Sequence, residues 1–366
     1  MTVPTRSYTH ISLMNRDPQT LRASHRWHRI LLALGCLWSL SVGCTAQPVV
    51  AEKDGLRVAT YNIEWFSEDA NPGRIANLKS VLNNVQPDII GLQEIQSRKA
   101  LNQIFDDKWE IGMMDEASED QEVAIAVRKP LKLEEVGMVF DDPIFDFSFP
   151  GRRDVLRAVV VSPDGARHSF YVNHMKSRSG GRRQTDPQRE MAAGLLAAFI
   201  KGKAEENVVV LGDLNDAPDD RSVNILETGN LMASAGSASA ANPLLVNLMD
   251  PLARSNHVSH GLFRLFSGDP IEPVVPEAWS ENERTRGIDY RYPDDLKVTQ
   301  ILFDQILVSP SLAKVAGKAS IYSGADALRG EKGQTRRTDT GTDYIEKGTL
   351  SSDHLLVYVD LKLPAN

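Results

Sequence analysis

Five short motifs of Asn, Asp, Glu and His residues carry the chemistry that this sequence could perform. Each motif follows a short apolar run, and the five are spread over almost 300 residues. Their carboxylate, amide and imidazole groups are the side chains that bind a hard cation and transfer protons. Together they indicate one metal-assisted site that cleaves a phosphoester bond. In chain order the motifs are Thr60-Tyr61-Asn62, Gln93-Glu94, Asn173-His174-Met175-Lys176, Gly212-Asp213-Leu214-Asn215 and Ser352-Asp353-His354.

Three of these residues are predicted oxygen ligands of a divalent metal, Mg²⁺ or alternatively Mn²⁺, namely Asn62, Glu94 and Asp353. Phosphoester hydrolysis needs a cation to neutralise charge on the phosphoryl oxygens, an activated water and a proton for the leaving oxygen. Glu94 directly follows an apolar run, where a carboxylate is costly to bury without a partner. Asn62 taken alone would be interpreted as a turn residue, so its assignment depends on the other motifs.

The motif at residues 212–215 offers a group that could activate water. Asp213 and Asn215 lie two residues apart and point to the same side if the strand continues. One side chain could take a proton from water while the other orients that water or holds a phosphoryl oxygen. The alternative is an Asx turn that caps the strand, because residues 216–220 are typical of a turn.

Two histidines and one buried acid are predicted to transfer protons or hold charge. His174 and His354 each adjoin an acidic or amide cluster at a strand end, which favours proton transfer over a structural role. Asp304 interrupts an otherwise apolar strand and needs a cationic partner, for which a histidine imidazolium would serve.

Five basic residues fall within a 14-residue stretch of an acidic chain, and Gly180-Gly181 makes its middle a turn. We predict that this loop engages a substrate phosphate, with Lys176 and Arg178 as the binding residues. A solvated surface loop is an equally good interpretation for Arg182 and Arg183. The five residues are Lys176, Arg178, Arg182, Arg183 and Arg189.

Strands that end at the motifs must position these side chains. Apolar runs bounded by Gly and Pro favour sheets covered by helices. Helical spacing of apolar residues predicts helices at residues 75–85 and 188–199, and residues 230–300 and 323–351 are predicted surface loops. Strands are predicted at residues 56–63, 88–94, 123–127, 155–161, 169–173, 208–213, 301–308 and 355–361.

Residues 1–46 show the order of a signal peptide, with basic residues, then an apolar core, then small residues. The core, residues 30–42, is shorter than the roughly 20 residues that a transmembrane helix needs. Cleavage after Ala46 would release a soluble exported protein, whereas cleavage before Cys44 would leave a cysteine for lipid attachment. An uncleaved anchor is the third alternative. The sequence therefore predicts a leader at 1–46 and one domain at 47–366.

The composition of the predicted domain restricts its ligands and partners. Both cysteines, Cys36 and Cys44, lie in the leader, so an internal disulfide is excluded and metal ligands must be oxygen or imidazole. Removing the leader's five Arg and one Asp from 41 basic and 49 acidic residues leaves a net charge of about −12. This charge argues against a protein that coats nucleic acid, but not against an enzyme that meets phosphate through metal and a few basic residues.

The ordered motifs, together with Phe303-Asp304-Gln305-Ile306-Leu307, resemble those of the endonuclease/exonuclease/phosphatase superfamily over roughly residues 56–363. That family includes pancreatic deoxyribonuclease, abasic-site endonucleases, neutral sphingomyelinases and inositol polyphosphate 5-phosphatases. The resemblance implies an α/β fold, a four-layer α/β sandwich in which two mixed β-sheets pack face to face and are flanked by helices. It also implies that Glu94 binds the divalent metal, helped by Asn62 and Asp353.

The same resemblance implies roles for the remaining site residues. Asp213 would activate or position the attacking water, and Asn215 would orient Asp213 or a phosphoryl oxygen. Asp304 would pair with His354, which would stabilise the transition state, and His174 would protonate the leaving group. The sequence departs from many relatives at Asp304, whose usual basic neighbour is absent.

We therefore expect an exported, divalent-metal-dependent phosphoesterase, namely a phosphodiesterase or nuclease that uses direct attack by water. A sphingomyelinase-like lipid phosphodiesterase and a small-molecule phosphatase are the alternatives, and a non-catalytic binding protein on the same fold is a further one. The expected partner is a phosphoester substrate, either nucleic acid or a lipid or small-molecule ester. The protein would be periplasmic, extracellular or lipid-anchored, with no membrane contact beyond that anchor and no obligate protein partner.

Overall fold

The chain divides into two units, residues 1–45 and 46–366, and every residue described below belongs to the second. The predicted leader therefore lies outside the described residues, as do large parts of the predicted loops at 230–300 and 323–351. The computed structural model describes residues 50–115, 121–151, 153–179, 181–236, 241–255, 257–261, 300–327, 335–338, 341–344 and 351–362.

Two mixed sheets of six strands each form the frame. The first has the order β13-β16-β1-β2-β4-β3, with β1 parallel to β2 and antiparallel to β16. Its strands are β1 (Leu56–Phe66), β2 (Ile89–Ile95), β3 (Trp109–Met113), β4 (Glu122–Arg128), β13 (Ser320–Ile321) and β16 (Val357–Leu361).

The second sheet has the order β5-β6-β7-β8-β12-β9, with β7 parallel to β8. Its strands are β5 (Lys132–Val139), β6 (Val155–Val161), β7 (Arg167–His174), β8 (Val208–Asp213), β9 (Val246–Asn247) and β12 (Asp304–Val308). Two short pairs accompany the main sheets, β10 (His260–Gly261) with β11 (Gln300–Ile301) and β14 (Thr335–Thr338) with β15 (Gly341–Tyr344).

The helices begin and end at recognisable signals. The first helix starts where the Asn71 side chain accepts the N–H of Gly73, next to Pro72, and it ends at Gln86 in the left-handed conformation. The described α-helices are α1 (Pro72–Val85), α2 (Arg98–Leu101), α3 (Arg182–Lys203), α4 (Arg221–Thr228), α5 (Asp250–Arg254) and α6 (Pro310–Ala313).

Three apolar cores separate four layers. Successive residues of β8 point to opposite faces, so Val209 and Leu211 enter the core between the sheets, while Val208 and Val210 face α3 and α4. On the other side, the outer face of the first sheet packs against α1. The predicted α/β sandwich of two face-to-face sheets with outer helices is therefore confirmed.

One predicted strand is broken in the structure. The sequence predicted a strand at 301–308, but β11 ends at Ile301 and β12 begins at Asp304. The side chain of Ser259 accepts the N–H groups of Phe303 and Asp304, each at 3.1 Å, so these two amides are bonded to a side chain at the break. Among the described residues, no helix has the length and apolarity required to cross a membrane.

Candidate active site

The predicted site residues meet at one edge of the sandwich. Parallel strands end at the same edge, and β2 ends near Glu94 just as β7 and β8 end at His174 and Asp213. The antiparallel strand β12 starts at that edge, so Asp304 pairs directly with Asp213. The chain reaches β16 through His354, which brings the last motif to the same place.

Asn62 joins two of the carboxylates. Its Nδ2 donates to Glu94 Oε1 at 3.1 Å and to Asp213 Oδ2 at 3.2 Å, while its Oδ1 accepts the N–H of Glu64 at 3.0 Å. The amide nitrogen thus faces the carboxylates, and the amide oxygen is held by the backbone. Asn62 is a bridging donor in this arrangement, and ligation of a metal through its oxygen would require the amide to turn over.

Several site residues hold the left-handed backbone conformation that usually favours glycine. Glu64, Trp65, Glu94 and Asn215 have φ values of 41°, 48°, 60° and 53°. The Trp65 N–H donates to Glu94 Oε2 at 3.2 Å, so the turned backbone binds the second carboxylate oxygen of the predicted metal ligand. Such conformations persist only where the surroundings enforce them, and they cluster at functional sites.

Arg74 of α1 supports this turned segment, although no motif in the sequence pointed to it. Its guanidinium is buried and donates to the carbonyl oxygens of Ile63, Glu64 and Ser351. These bonds tie the end of β1 to the segment that carries Ser352. The sequence signal was weak because a single Arg on a helix is ordinarily exposed.

Asp304 and His354 form a buried pair. The Nδ1 of His354 lies 2.8 Å from Asp304 Oδ2, and Nε2 lies 3.6 Å from Asp213 Oδ2 and 4.0 Å from Asp353 Oδ1. Burial acts to lower the pKa of His354, but the charges of Asp304 and Asp213 outweigh it and hold the pKa well above its usual value. The ring is therefore charged at neutral pH and presents Nε2 to the site.

Asp213 has the protonation behaviour of a base that works near neutral pH. Burial raises its pKa to about 7, with a contribution from Asp304 and Glu94, against the lowering effect of His354 and the Asn215 N–H. That N–H bonds Asp213 Oδ1 at 2.8 Å, and the Asn215 side chain donates to Oδ2 at 3.2 Å. The carboxylate is thus fixed in orientation as well as shifted in pKa.

His174 is buried beside the same carboxylates. Its Nε2 lies 3.7 Å from Glu94 Oε1 and 3.6 Å from Asp213 Oδ2. Burial lowers its pKa well below the usual value, and the positive charge of Arg153 acts in the same direction. The ring is therefore neutral at pH 7, and the predicted role of leaving-group acid would require a neutral imidazole to donate its proton.

The donor set fits a divalent cation. Burial, and then the nearby charge of Asp353, raise the pKa of Glu94, and that of Asp213 is raised as well. Such shifts mark a concentration of negative charge that a metal ion would relieve. Glu94 and Asp353 offer the hard carboxylate oxygens that Mg²⁺ and Mn²⁺ prefer.

Arg153 is a second residue that the sequence did not single out. It lies just before β6, where it donates to the Met175 carbonyl oxygen at 3.1 Å. Burial lowers its pKa, while the charges of Glu94 and Asp213 oppose that effect. Arg153 therefore lies close enough to the carboxylates to serve as a cation for the substrate.

The predicted phosphate-binding loop is largely engaged with acidic partners. Arg178 donates from Nε to the Asn215 carbonyl oxygen at 3.0 Å and from Nη2 to Asp216 and Asp220. In the same network, Arg182 pairs with Asp220 and Arg189 pairs with Asp216. Arg178 thus supports Asn215 in this structure, whereas Lys176 is half-buried and donates to Ser177.

The chain is similar to known proteins in its family and in its fold. Residues 59–354 match the model of the Endonuclease/Exonuclease/phosphatase family. No curated protein sequence matches the chain.

Solved structures share the fold at low sequence identity. TDP2 of D. rerio complexed with single strand DNA product is 18% identical, with 83% of this chain and 97% of that chain covered and a TM-score of 0.53. TDP2 from C. elegans is 16% identical, with 83% and 74% covered and a TM-score of 0.50. A mannosyl-6-phosphatase of Bacteroides thetaiotaomicron VPI-5482 is 15% identical, with 84% and 99% covered and a TM-score of 0.50. At these identities the likeness concerns the fold alone.

Proposed function

Because the chain belongs to the endonuclease/exonuclease/phosphatase family, whose members hydrolyse phosphoesters, we propose that it is an exported, divalent-metal-dependent phosphodiesterase in which water attacks phosphorus directly. The observation that carries this proposal is the buried Asp304–His354 pair, set 3.6 Å from the Asp213 carboxylate. A fixed cation beside a base with a pKa of about 7 is what a phosphoryl transition state requires.

In the proposed reaction, His354 binds the phosphoryl oxygens as charge builds on them. Asp304 holds Nδ1, so Nε2 is the nitrogen that remains for the substrate. Because the pair is buried, the imidazolium requires little reorganisation when the transition state forms, and its charge is poorly screened.

Asp213 would take the proton from the attacking water. Its pKa of about 7 lets it be deprotonated near neutral pH while remaining basic enough to accept a proton. Asn215 and Asn62 fix its two oxygens by donating to them, so the water would meet a base of defined orientation.

Glu94 and Asp353 would hold the divalent metal. When bound, the ion would neutralise charge on the phosphoryl oxygens. The negative charges of these two residues also affect protonation, since Asp353 contributes to the raised pKa of Glu94 and Glu94 contributes to that of Asp213. Arg153, which precedes β6 at the edge where the antiparallel strand β7 ends, would add a protein cation.

A small-molecule phosphoester is the second candidate substrate. It is favoured by the engagement of Arg178, Arg182 and Arg189 with aspartates, whereas Lys176 and Arg153 contact neutral acceptors. A long nucleic acid needs several phosphate contacts along its backbone, whereas a short ester needs few. Export is proposed from the basic, apolar and small-residue order of residues 1–46, with lipid attachment at Cys44 as its variant.

A substrate panel tests the proposal. Protein lacking residues 1–46 would be assayed against plasmid DNA, RNA, sphingomyelin, bis-p-nitrophenyl phosphate and a sugar phosphate, each with Mg²⁺, with Mn²⁺ and with chelator. We expect metal-dependent cleavage of a diester that the Asp213→Ala variant cannot perform. Cleavage of the sugar phosphate alone would replace the proposal with the second candidate, and cleavage of none would contradict both.

A further inference from the structure

His260 lies against the site although it belongs to none of the five motifs. Its ring centroid is 4.4 Å from that of His354, with the planes tilted by 38°. It also stacks on Phe303 at 5.4 Å, and Arg178 lies 5.2 Å from the centre of the Phe303 ring. The His260 ring therefore contacts both His354 and a second aromatic ring.

The backbone around His260 is fixed by two neighbouring segments. His260 forms an antiparallel bridge with His354. Ser259 is buried, its carbonyl oxygen accepts the N–H of Leu355 at 2.7 Å, and its side chain accepts the N–H of Asp304. The ring is thus placed by the same segments that place the Asp304–His354 pair, which is the preorganisation that a ligand site needs.

Three potential ligand atoms converge at this point. One nitrogen each of His260 and His354 and one oxygen of Asp353 lie within 4.8 Å of one another. Ligands arranged tetrahedrally around one ion at about 2.0–2.2 Å lie about 3.3–3.6 Å apart, so the partly exposed His260 and Asp353 side chains would have to move by about 1 Å to close the site. Asp213 Oδ2, 3.6 Å from His354 Nε2, is available as a fourth ligand.

Asp304 supports His354 through the ring nitrogen that faces away from the proposed metal. A histidine that binds metal through one ring nitrogen commonly donates the other ring N–H to a carboxylate, which fixes the ring and makes it a stronger ligand. The contact between His354 Nδ1 and Asp304 Oδ2 has this form. His354 therefore presents Nε2 with the support that metal-binding histidines have.

We propose that His260, Asp353 and His354 form a site for a borderline transition-metal ion, with Zn²⁺ as its representative, and that occupation of this site inhibits hydrolysis. Two imidazoles with a carboxylate suit Zn²⁺, whereas the hard carboxylate oxygens of Glu94 suit Mg²⁺. Zn²⁺ bound to His354 Nε2 occupies the nitrogen that the proposed reaction offers to the phosphoryl oxygens, so the substrate loses that contact. The proposed binding of Zn²⁺ does not depend on the proposed function, and only the inhibition of hydrolysis rests on it.

Zn²⁺ binding to the full-length protein can be measured by calorimetry in the presence of saturating Mg²⁺. Because Asp353 is also a proposed Mg²⁺ ligand, we expect Mg²⁺ to weaken Zn²⁺ binding without abolishing it. The Zn²⁺ affinity should fall at least about tenfold in His260→Gln, which keeps a polar side chain of similar length. His257→Gln is the matched control, since it removes a half-exposed histidine three residues upstream, and it should bind Zn²⁺ as the parent does. Visible absorption of bound Co²⁺ reports imidazole ligation directly and should weaken in His260→Gln alone.

Equal Zn²⁺ affinity in the parent and in His260→Gln would overturn the proposal, as would complete displacement of Zn²⁺ by Mg²⁺. Circular dichroism of each variant establishes that it is folded, and His260→Asn serves as the second variant if the first is not. Inhibition is measured separately on the substrate that the panel identifies, and it should need at least about tenfold more Zn²⁺ in His260→Gln. If the protein binds Zn²⁺ but hydrolyses none of the substrates, the proposed function is wrong and the proposed Zn²⁺ site is retained.

Discussion

At the scale of single residues, the site depends on charges that the fold buries. Asp304 is fully buried, and its contact with His354 provides the compensation that a buried carboxylate needs. Asp213 lies near both and bears a raised pKa as a result of burial and like charge. The same three residues therefore account for the electrostatic character of the site and for its proposed reactivity.

Replacing His354 by alanine should lower turnover by at least about a hundredfold, because it removes the group that stabilises developing charge. It also strands the buried Asp304 carboxylate, which is expected to cost about 3–5 kcal/mol of stability. Steady-state kinetics on the cleaved substrate, run beside a denaturant titration, measure the two effects. His257→Ala is the control, and near-normal turnover of His354→Ala would refute the assignment.

Replacing Glu94 by glutamine should raise the Mg²⁺ concentration needed for half-maximal activity, because it removes a ligand charge while keeping the size of the side chain. The measurement is a Mg²⁺ titration of turnover. Glu68→Gln, at an exposed pair with Lys99 of α2, should leave the titration unchanged. An unchanged titration for Glu94→Gln would show that this residue is not a ligand.

At the scale of elements, the strands that end at the motifs could be predicted and the edges of the sheets could not. The strand β8 agrees with its predicted span because four aliphatic residues lead directly into Gly212-Asp213. The edge strands β3 and β5 were missed because partial exposure leaves them without a clear pattern of alternation. Arg74, Arg153 and His260 were missed as well, because distant segments bring them to the site and nothing in their local sequence shows it.

The start of helix α3 was also not predicted from the sequence. The sequence predicted residues 188–199, while the helix begins at Arg182. Its first turns are held by the pairing of Arg182 and Arg189 with Asp186, Asp216 and Asp220, and two of these aspartates lie more than 25 residues further along the chain. Apolar spacing carries no information about such pairs, so the start of the helix and the role of its arginines could not be predicted.

The junction of α4 and β9 should show a measurable dependence of stability on pH. Burial raises the pKa of Glu227 to about 7 from its usual 4.5, although its side chain accepts the Asn247 N–H at 3.2 Å. A carboxyl whose pKa is raised on folding contributes most to stability below the unfolded value of 4.5, and this contribution is lost as pH rises through about 7. Glu227→Gln avoids that loss and keeps the acceptor.

We therefore expect Glu227→Gln to raise the free energy of unfolding at pH 8 by on the order of 1 kcal/mol, the shift being discounted for screening by solvent. The gain should vanish at pH 4. Urea titrations at the two pH values measure it, and Glu206→Gln, at an exposed glutamate, is the control. A gain that is equal at both pH values would show that ionisation of Glu227 is not its cause.

At the scale of the whole molecule, an acidic domain surrounds a site with few available cations. The net charge of the whole sequence is −8, and Arg178, Arg182 and Arg189 are bound to aspartates. Among the described residues near the site, Lys176 and Arg153 are therefore the cations that we expect to attract a polyanion, together with a bound metal.

Because few basic residues are expected to contact phosphate, the affinity for nucleic acid, if it is the substrate, should depend only weakly on salt concentration. Two phosphate contacts correspond to a slope of about −2 when the logarithm of affinity is plotted against the logarithm of salt concentration, and Lys176→Ala should reduce the slope by about one. Inhibition of the reaction by an uncleaved oligonucleotide, measured over a range of salt concentrations, gives the slope. A slope near −6 would mean that an extended row of basic residues contacts the phosphates, and it would contradict the prediction of two contacts.

The position of β16 in the first sheet also has a consequence for biosynthesis. This strand lies between β13 and β1, and Asp353 and His354 immediately precede it. The ribosome therefore makes Glu94 and Asp213 long before it makes the residues that complete the site. A nascent chain, or one cut by a protease before residue 353, carries most of the fold but neither Asp353 nor His354. The proposed reaction therefore requires β16 and the residues before it to have been translated, so the growing chain should not hydrolyse phosphoesters before that point.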